Sequence, residues 1–483
     1  MAIALAASLA ACATTPGRRA KAAPLPETWA DAPAGATEPA SLTAWWTKFS
    51  DPMLERLVAE ALADGGSVRL AALRVREARA LAYSTLSNYL PGVDATASGQ
   101  YTRPLDGPLL PNADFSGLET EQFIGSFGAK VSWEVPLFGR LHAAAVGARA
   151  NVRASAADFR GAEVALAADV AQAYVDLRAA QQSRAALRES VELSDRLAEI
   201  LATSARAGFA SEAEAADARR LAESTRTRLP AVEIEARRAE RTLAVLRGKA
   251  PDADIAEIAA ALRADAPVPA ISVSASPAAP ADLLRLRPDI AYAEAQTLLV
   301  AASVGVARSD LLPQININGV VNVSDNVVGN ALSERSATVV ATPLITLPLF
   351  DWGRRIAVVR QRDAQFEQAL VQYRETVNRA VFEAAQALTG LDQGARRLQS
   401  ARRAEEAAAV AARGSRAAYG AGIQSLADRL QSEQQLIDAR LTRIAAEQAQ
   451  AGAAIAVYRA FGGGPDVEGA RDRLRGLMRY PEQ

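Results

Sequence analysis

The sequence predicts an α+β membrane protein: four β-strands per chain contribute to a transmembrane β-barrel shared between chains, and long coiled-coil α-helices continue it. Three observations carry this. The phrase Pro136-Leu137-Phe138, followed by Gly139-Arg140, returns as Pro348-Leu349-Phe350, followed by Gly353-Arg354, with the glycines 214 positions apart (353 − 139). Four segments alternate apolar and polar residues, the period of a half-buried strand. Two stretches, 141–206 and 354–418, contain no proline and lead into sequence with apolar residues every seven positions, the spacing of left-handed coiled coils.

Composition narrows the possible roles. The 483 residues carry a formal net charge of −1, so no global field draws nucleic acid. One cysteine, Cys12, and one histidine, His142, exclude an internal disulfide framework, a Cys/His zinc site and the usual Cys-His catalytic pair. The three methionines are scattered, which leaves no soft-metal cluster. No uninterrupted apolar run reaches the roughly 18 residues of a transmembrane helix, so a membrane crossing falls to strands. No nucleophile elbow, phosphate-binding loop or metal-binding spacing is present, and His142 reads as a helix-surface residue.

Element by element, residues 1–11 read as a signal peptide: a short apolar run of small residues that ends at Cys12. Leu9-Ala10-Ala11-Cys12 resembles a bacterial lipobox, which makes Cys12 the acylated first residue of the mature chain; a covalent lipid there is the one non-protein group expected, with no cofactor and no metal. No Lys or Arg precedes the run, and an incidental cysteine in an ordinary signal peptide is the alternative. Residues 12–41, rich in Ala, Pro and Thr, form the lipidated tether.

From residue 42 one plan is written twice. A helical segment (42–90) leads into a β-hairpin (91–136) and then a long helix with its return helix (137–248). After an Ala/Pro-rich linker (249–281), the second copy repeats the series as 282–312, 313–348 and 349–462. Ala207-Gly208-Phe209-Ala210-Ser211 matches Ala421-Gly422-Ile423-Gln424-Ser425 at the turns between long and return helices. Pro230 falls inside the first return helix and is expected to kink it. The basic tail 463–483 has no assigned role; the default is a disordered or outward-packed segment.

In 93–102, Val93, Ala95, Ala97 and Tyr101 oppose Asp94, Thr96, Ser98 and Gln100. In 123–135, Phe127, Ala129, Val131 and Trp133 oppose Ser126, Lys130, Ser132 and Glu134. In 315–324, Ile315, Ile317, Val321 and Val323 oppose Asn316, Asn318 and Asn322, while 337–347 alternates less cleanly around Pro343. A soluble sandwich gives the same alternation. Strands of about ten residues also suit a tilted membrane span, which makes Asp94, Lys130, Glu134, Asn316, Asn318 and Asn322 candidates for the barrel lumen. A closed barrel needs about eight strands and an open sheet exposes its edges, so four strands per chain imply several chains. The loops 103–122 and 325–336 then lie at one outer end. Pro136 and Pro348 end the ladder for want of an N–H, and Gly139 and Gly353 free the backbone before each helix.

The helices are long: at 1.5 Å per residue, 141–206 extends roughly 100 Å. Leu166, Ala173, Ala180, Leu187, Ser194 and Leu201 form one seam; Ile423, Leu430, Ile437, Ile444, Ala451 and Tyr458 form another.

With these features in place, the chain resembles the outer-membrane factors of the TolC type, most of all the lipoprotein branch typified by OprM and the NodT-like efflux proteins. The lipobox at Cys12, Leu90-Pro91, Leu312-Pro313, both Pro-Leu-Phe joints and Leu286-Arg287-Pro288-Asp289-Ile290 carry the likeness, over about residues 45–462. It implies a homotrimer that shares a twelve-stranded barrel continued by an α-helical barrel through the periplasm. It also implies anchorage in outer-membrane lipid, a periplasmic adaptor and an inner-membrane pump, usually of the resistance-nodulation-division type, for which the chain is the passive exit duct for small molecules. A gate at the helix tips falls on 422–433, with Leu426, Asp428, Leu430, Gln431 and Glu433 as lining candidates; a solvated helix face is the alternative for Asp428 and Glu433. Other readings are a type I secretion or metal-efflux duct of the same fold, or a coiled-coil lipoprotein with no pore.

Overall fold

The computed structural model describes residues 29, 42–102, 122–251, 266–271, 280–326, 337–465 and 467–478. A 3₁₀ turn, Trp45–Phe49, precedes α1 (Pro52–Asp64), α2 (Gly66–Ser87), β1 (Gly92–Thr102), β2 (Gln122–Glu134), α3 (Arg140–Arg206) and α4 (Glu212–Leu246). The second copy runs α5 (Leu283–Leu286), α6 (Pro288–Ser309), β3 (Gln314–Asn326), β4 (Ala337–Thr346), α7 (Arg354–Gly420) and α8 (Leu426–Ala460), and α9 (Val467–Met478) follows. The duplication is quantitative: α2 and α6 have 22 residues each, α3 and α7 have 67, and α4 and α8 have 35.

Two compact units result. One is built on Glu77–Arg153 and Glu294–Gln372 and holds all four described strands; the other is built on Lys21–Arg76, Ala154–Ala293 and Tyr373–Gln483.

In the strand unit the sheet is antiparallel throughout, in the order β1-β2-β3-β4. The two hairpins are joined by β2–β3 pairing, which runs from Ile124 opposite Asn326 to Glu134 opposite Asn316. Strand bounds fall within one or two residues of those read from the alternation. The helix α6 is long and apolar enough to cross a membrane by composition. Its Ala301 and Val304 are buried against Phe366 of α7 instead.

In the helical unit the heptad rows form the core. On α3, Leu166, Val170, Ala173, Leu177, Ala180, Leu187 and Ser194 are buried; on α8, Leu430, Ile437, Ile444, Ala451 and Tyr458 are buried. Small residues let these helices approach closely: a Cβ at Gly452 would lie 3.0 Å from Gln172 Oε1 of α3. Pro230 lies inside α4 without ending it.

Of the two expectations for the tail, disorder does not hold for residues 467–478. Residues 467–478 form a helix whose Ala470 and Leu474 are buried, and Arg473 Nε donates to Glu163 Oε1 of α3 at 2.8 Å. Its amphipathic spacing gave it an apolar face to bury. The 3₁₀ turn packs at the end of α8: Trp45 Nε1 donates to Gly463 O (3.2 Å), and its ring stacks on Tyr458 at 5.1 Å. Cys12 and the signal region, most of the 103–122 and 325–336 loops and most of the 249–281 linker lie outside the described residues.

Candidate functional site

The sheet has two faces of different character, and the register lines up most polar residues with polar ones, although Val320, Val340 and Leu344 also fall on the polar face, opposite Lys130, Val320 and Asn316. Val131, Gly319 and Ala341 line up across one face, as do Ala129, Val321 and Val339. On the other, Asp94 faces Lys130, Ser132 faces Asn318, and Gly128 faces Asn322, which in turn faces Thr338. The hydroxyls of Ser98 and Ser126 hydrogen-bond across it at 2.7 Å. Glu134 belongs to the same face, opposite Asn316, but its carboxylate is engaged: Arg140 Nη1 donates to it at 2.7 Å, and Arg140 Nε donates to Asp310 at 3.3 Å. Glu134 therefore fixes the start of α3 as well as edging the sheet.

Both strand–helix joints use a glycine in the left-handed region, Gly139 at φ 78° and Gly353 at φ 80°, a conformation in which a Cβ is penalised. Pro136 and Pro348 follow the last residues of β2 and β4.

At the opposite ends of the long helices the two turns are near copies. Gly208 (φ 76°) and Gly422 (φ 72°) close them. Phe209 N donates to Ser204 O and Gly208 N to Ala205 O; Ile423 N donates to Ala418 O and Gly422 N to Tyr419 O. This paired pattern satisfies the last carbonyls of each helix. Ser211–Glu214 and Ser425–Asp428 then form capping boxes at the starts of α4 and α8. The Ser211 backbone N–H and hydroxyl hold the Glu214 carboxyl below its ordinary range. Phe209 (88% exposed) and Ile423 (81% exposed) stand at the tips.

The five gate candidates separate on this geometry. Leu426 is half-buried and Gln431 is exposed. Asp428 is the capping residue of α8: its Oδ2 accepts from Ser425 N (3.3 Å) and Ser425 Oγ (2.7 Å). Leu430, at 3% exposure, is a core rung in the heptad row that continues through Ile437. Glu433 is buried and accepts from Arg416 Nε at 2.9 Å and Arg429 Nε at 3.1 Å. Glu433 is therefore not a solvated-face residue, because both arginines project onto its carboxylate from the same helical hairpin.

Arg287 had no role assigned from sequence. Its guanidinium is buried and donates to Asp289 (2.7 and 2.9 Å), Glu383 (2.7 Å) and Ala460 O (2.8 Å). Burial alone would lower its pKa; the two carboxylates outweigh that and hold it above the ordinary value. The site joins α6, α7 and α8 at the second-copy elbow. Among the described residues no group of three His, Cys, Asp or Glu is placed to hold a metal ion.

These features (a two-faced four-stranded sheet, paired long helices and duplicated tips) coincide with one family model, described as outer membrane efflux protein, which matches residues 57–249 and 279–463. The chain belongs to that family. The pyoverdine export outer membrane protein OpmQ of Pseudomonas aeruginosa is 28% identical over 94% of each chain. The outer-membrane channel OprN superposes with a TM-score of 0.81 at 27% identity, over 94% of this chain and 99% of its own. The CmeC outer membrane channel of Campylobacter jejuni gives a TM-score of 0.83 over 96% and 98%, at 22% identity, a likeness of fold. The fold class is the expected one: four strands per chain of a trimeric transmembrane barrel, continued by a coiled-coil helical barrel. The protein is an outer-membrane efflux duct with a periplasmic helical extension, working with the other components of a pump. The family's role is conduction, which needs no cofactor.

Proposed function

We propose that the polar sheet face, with Asp94, Lys130, Asn316, Asn318 and Asn322, lines the water-filled lumen of the barrel, and that Glu134 sits at its edge. Charges on such a face bias which solutes pass, and no bond is made or broken. The observation that carries this is the register, which gathers Asp94, Lys130, Ser132, Asn316, Asn318, Asn322 and Thr338 on one face and leaves the other face apolar along most of its length, as a barrel between lipid and water requires. The cargo is small molecules, in keeping with the export role named for OpmQ. The exposed tips at Phe209 and Ile423 are the contact for a periplasmic adaptor, because two apolar side chains fixed at the ends of rigid turns gain from being covered. The pump behind that adaptor is of the resistance-nodulation-division type, and an acylated Cys12 adds a lipid foothold.

One measurement tests the assembly: native mass spectrometry of the detergent-extracted protein. The expected species is three chains, each with a lipid adduct at Cys12. A monomer that extracts without detergent would overturn the shared barrel, and an unmodified Cys12 in an intact trimer would overturn the lipid anchor alone.

A further inference from the structure

One row across the polar sheet face differs from its neighbours. In register order it reads Asp94 on β1, Lys130 on β2, Val320 on β3 and Val340 on β4. The row on one side holds Thr96, Gly128, Asn322 and Thr338, and the row on the other holds Gly92, Ser132, Asn318 and Thr342. Neither flanking row carries a charge. Among the described strands the polar face has three charged side chains, Asp94, Lys130 and Glu134, and Glu134 is already engaged by Arg140. Asp94 and Lys130 are exposed, and neither is hydrogen-bonded or ion-paired among the described residues. An exposed pair of opposite charges gains little by closing on itself, so both groups stay open to a solute. A glycine stands two residues from each charge on the same face, Gly92 beside Asp94 and Gly128 beside Lys130, so no side chain shields them on that side.

We propose that this row is a subsite for zwitterionic solutes with an apolar body: Lys130 takes the anionic group, Asp94 the cationic group, and Val320 and Val340 the body. The proposal rests on the polar face lining the lumen. Cross-strand Cβ atoms lie about 5 Å apart, which lets the two side chains close onto neighbouring ammonium and carboxylate groups of one solute. Strands about 4.8 Å apart put Val340 about 10 Å beyond Lys130, room for a ring laid across the two valines. A solute with a single charge meets one attractive and one repulsive group, which cancels much of its gain. A zwitterion without an apolar body buries nothing on the valines. The order of the four residues therefore selects for all three features together.

The test records single-channel currents of the full-length trimer in planar phospholipid bilayers, with L-phenylalanine as the probe. Three analogues serve for comparison: phenylethylammonium lacks the carboxylate, phenylpropanoate lacks the ammonium, and glycine lacks the ring. Phenylalanine is expected to interrupt the current at concentrations about tenfold below any analogue, the effect of one charge-assisted hydrogen bond. Lys130→Met should bring phenylalanine to the level of phenylethylammonium, and Asp94→Asn to that of phenylpropanoate. Val340→Thr should weaken the phenylalanine block and leave glycine unchanged. Equal block by phenylalanine and its analogues would overturn the subsite, and so would a phenylalanine block that survives both charge substitutions. If a substituted chain does not assemble, the analogue series on the unsubstituted protein decides by itself. Lys130→Cys treated with an anionic methanethiosulfonate separates the subsite from the lumen. A change in conductance that the unsubstituted protein lacks, together with equal block, refutes only the subsite, whereas unchanged conductance refutes the lumen reading itself.

Discussion

Glu433 distinguishes a gate lining from a hairpin clasp. Its carboxylate is buried and holds two guanidinium groups, Arg416 from α7 and Arg429 from α8. A hydrogen bond to a charged partner contributes about 1.5–3 kcal/mol when desolvated. The arginine side chains are 51% and 32% exposed, so each can recover hydration and the sum must be discounted for solvent. Glu433→Gln keeps one acceptor and loses the charge; we expect it to loosen the α7–α8 tip by about 2 kcal/mol, roughly thirtyfold in a local opening equilibrium. Hydrogen exchange at the amides of Gly422 and Ile423 reads that change directly. Faster exchange there, with the Gly208–Phe209 turn unaltered, is the expected result. If exchange is unchanged while the cation selectivity of reconstituted channels shifts, Glu433 faces the channel and the clasp is refuted.

Three further outcomes follow from the same geometry. Gly422→Ala meets only the left-handed backbone, since nothing lies within 4 Å of its added Cβ, whereas at Gly462 (φ 75°) the Cβ would lie 2.8 Å from Leu286 O. Thermal unfolding should show a loss of about 1–2 kcal/mol for Gly422→Ala and a larger one for Gly462→Ala; equal losses would refute the close approach. Burial pushes the Tyr174 phenol up to about 12, aided by its hydrogen bond to Asp51 and opposed by Arg178. A raised folded pKa gives stability that is complete below pH 10, the unfolded value, and is lost as pH rises toward 12. A shift of this size corresponds to about 2–3 kcal/mol, and Tyr174→Phe should flatten that alkaline loss in a melting series; an identical alkaline slope would exclude Tyr174. Phe209→Asp together with Ile423→Asp should abolish cross-linking to a periplasmic adaptor while the native mass stays that of the unsubstituted protein; retained cross-linking would move the adaptor contact off the tips.

Much of the geometry of the α7–α8 tip is legible in the sequence once two patterns are set against each other. Leu430 was placed both in the Ile423–Tyr458 heptad row and in the gate. The row accounts for its burial, because a position seven residues from buried Ile437 shares its face. Asp428 was equally readable, lying three residues after Ser425 as Glu214 lies after Ser211. Glu433 was not, since its partner Arg416 sits across a turn and its burial depends on how α7 and α8 pack. Arg287 lay in a recognised stretch, but nothing local places Glu383 and the Ala460 carbonyl around it.

What is periodic or local was legible without the fold. The two-residue alternation set the strands and their faces, the seven-residue spacing set the helix seams, and Pro, Gly and Ser fixed the joints, turns and caps within a residue or two. Those preferences act over a few bonds and repeat with the duplication, so each copy states them independently. Tertiary structure alone decided the β2–β3 register that joins the two hairpins into one sheet, the ion pair of Arg473 with Glu163, and the burial of Arg287. Each depends on groups far apart in the chain, and the cost of closing so long a loop is met only when many contacts form together.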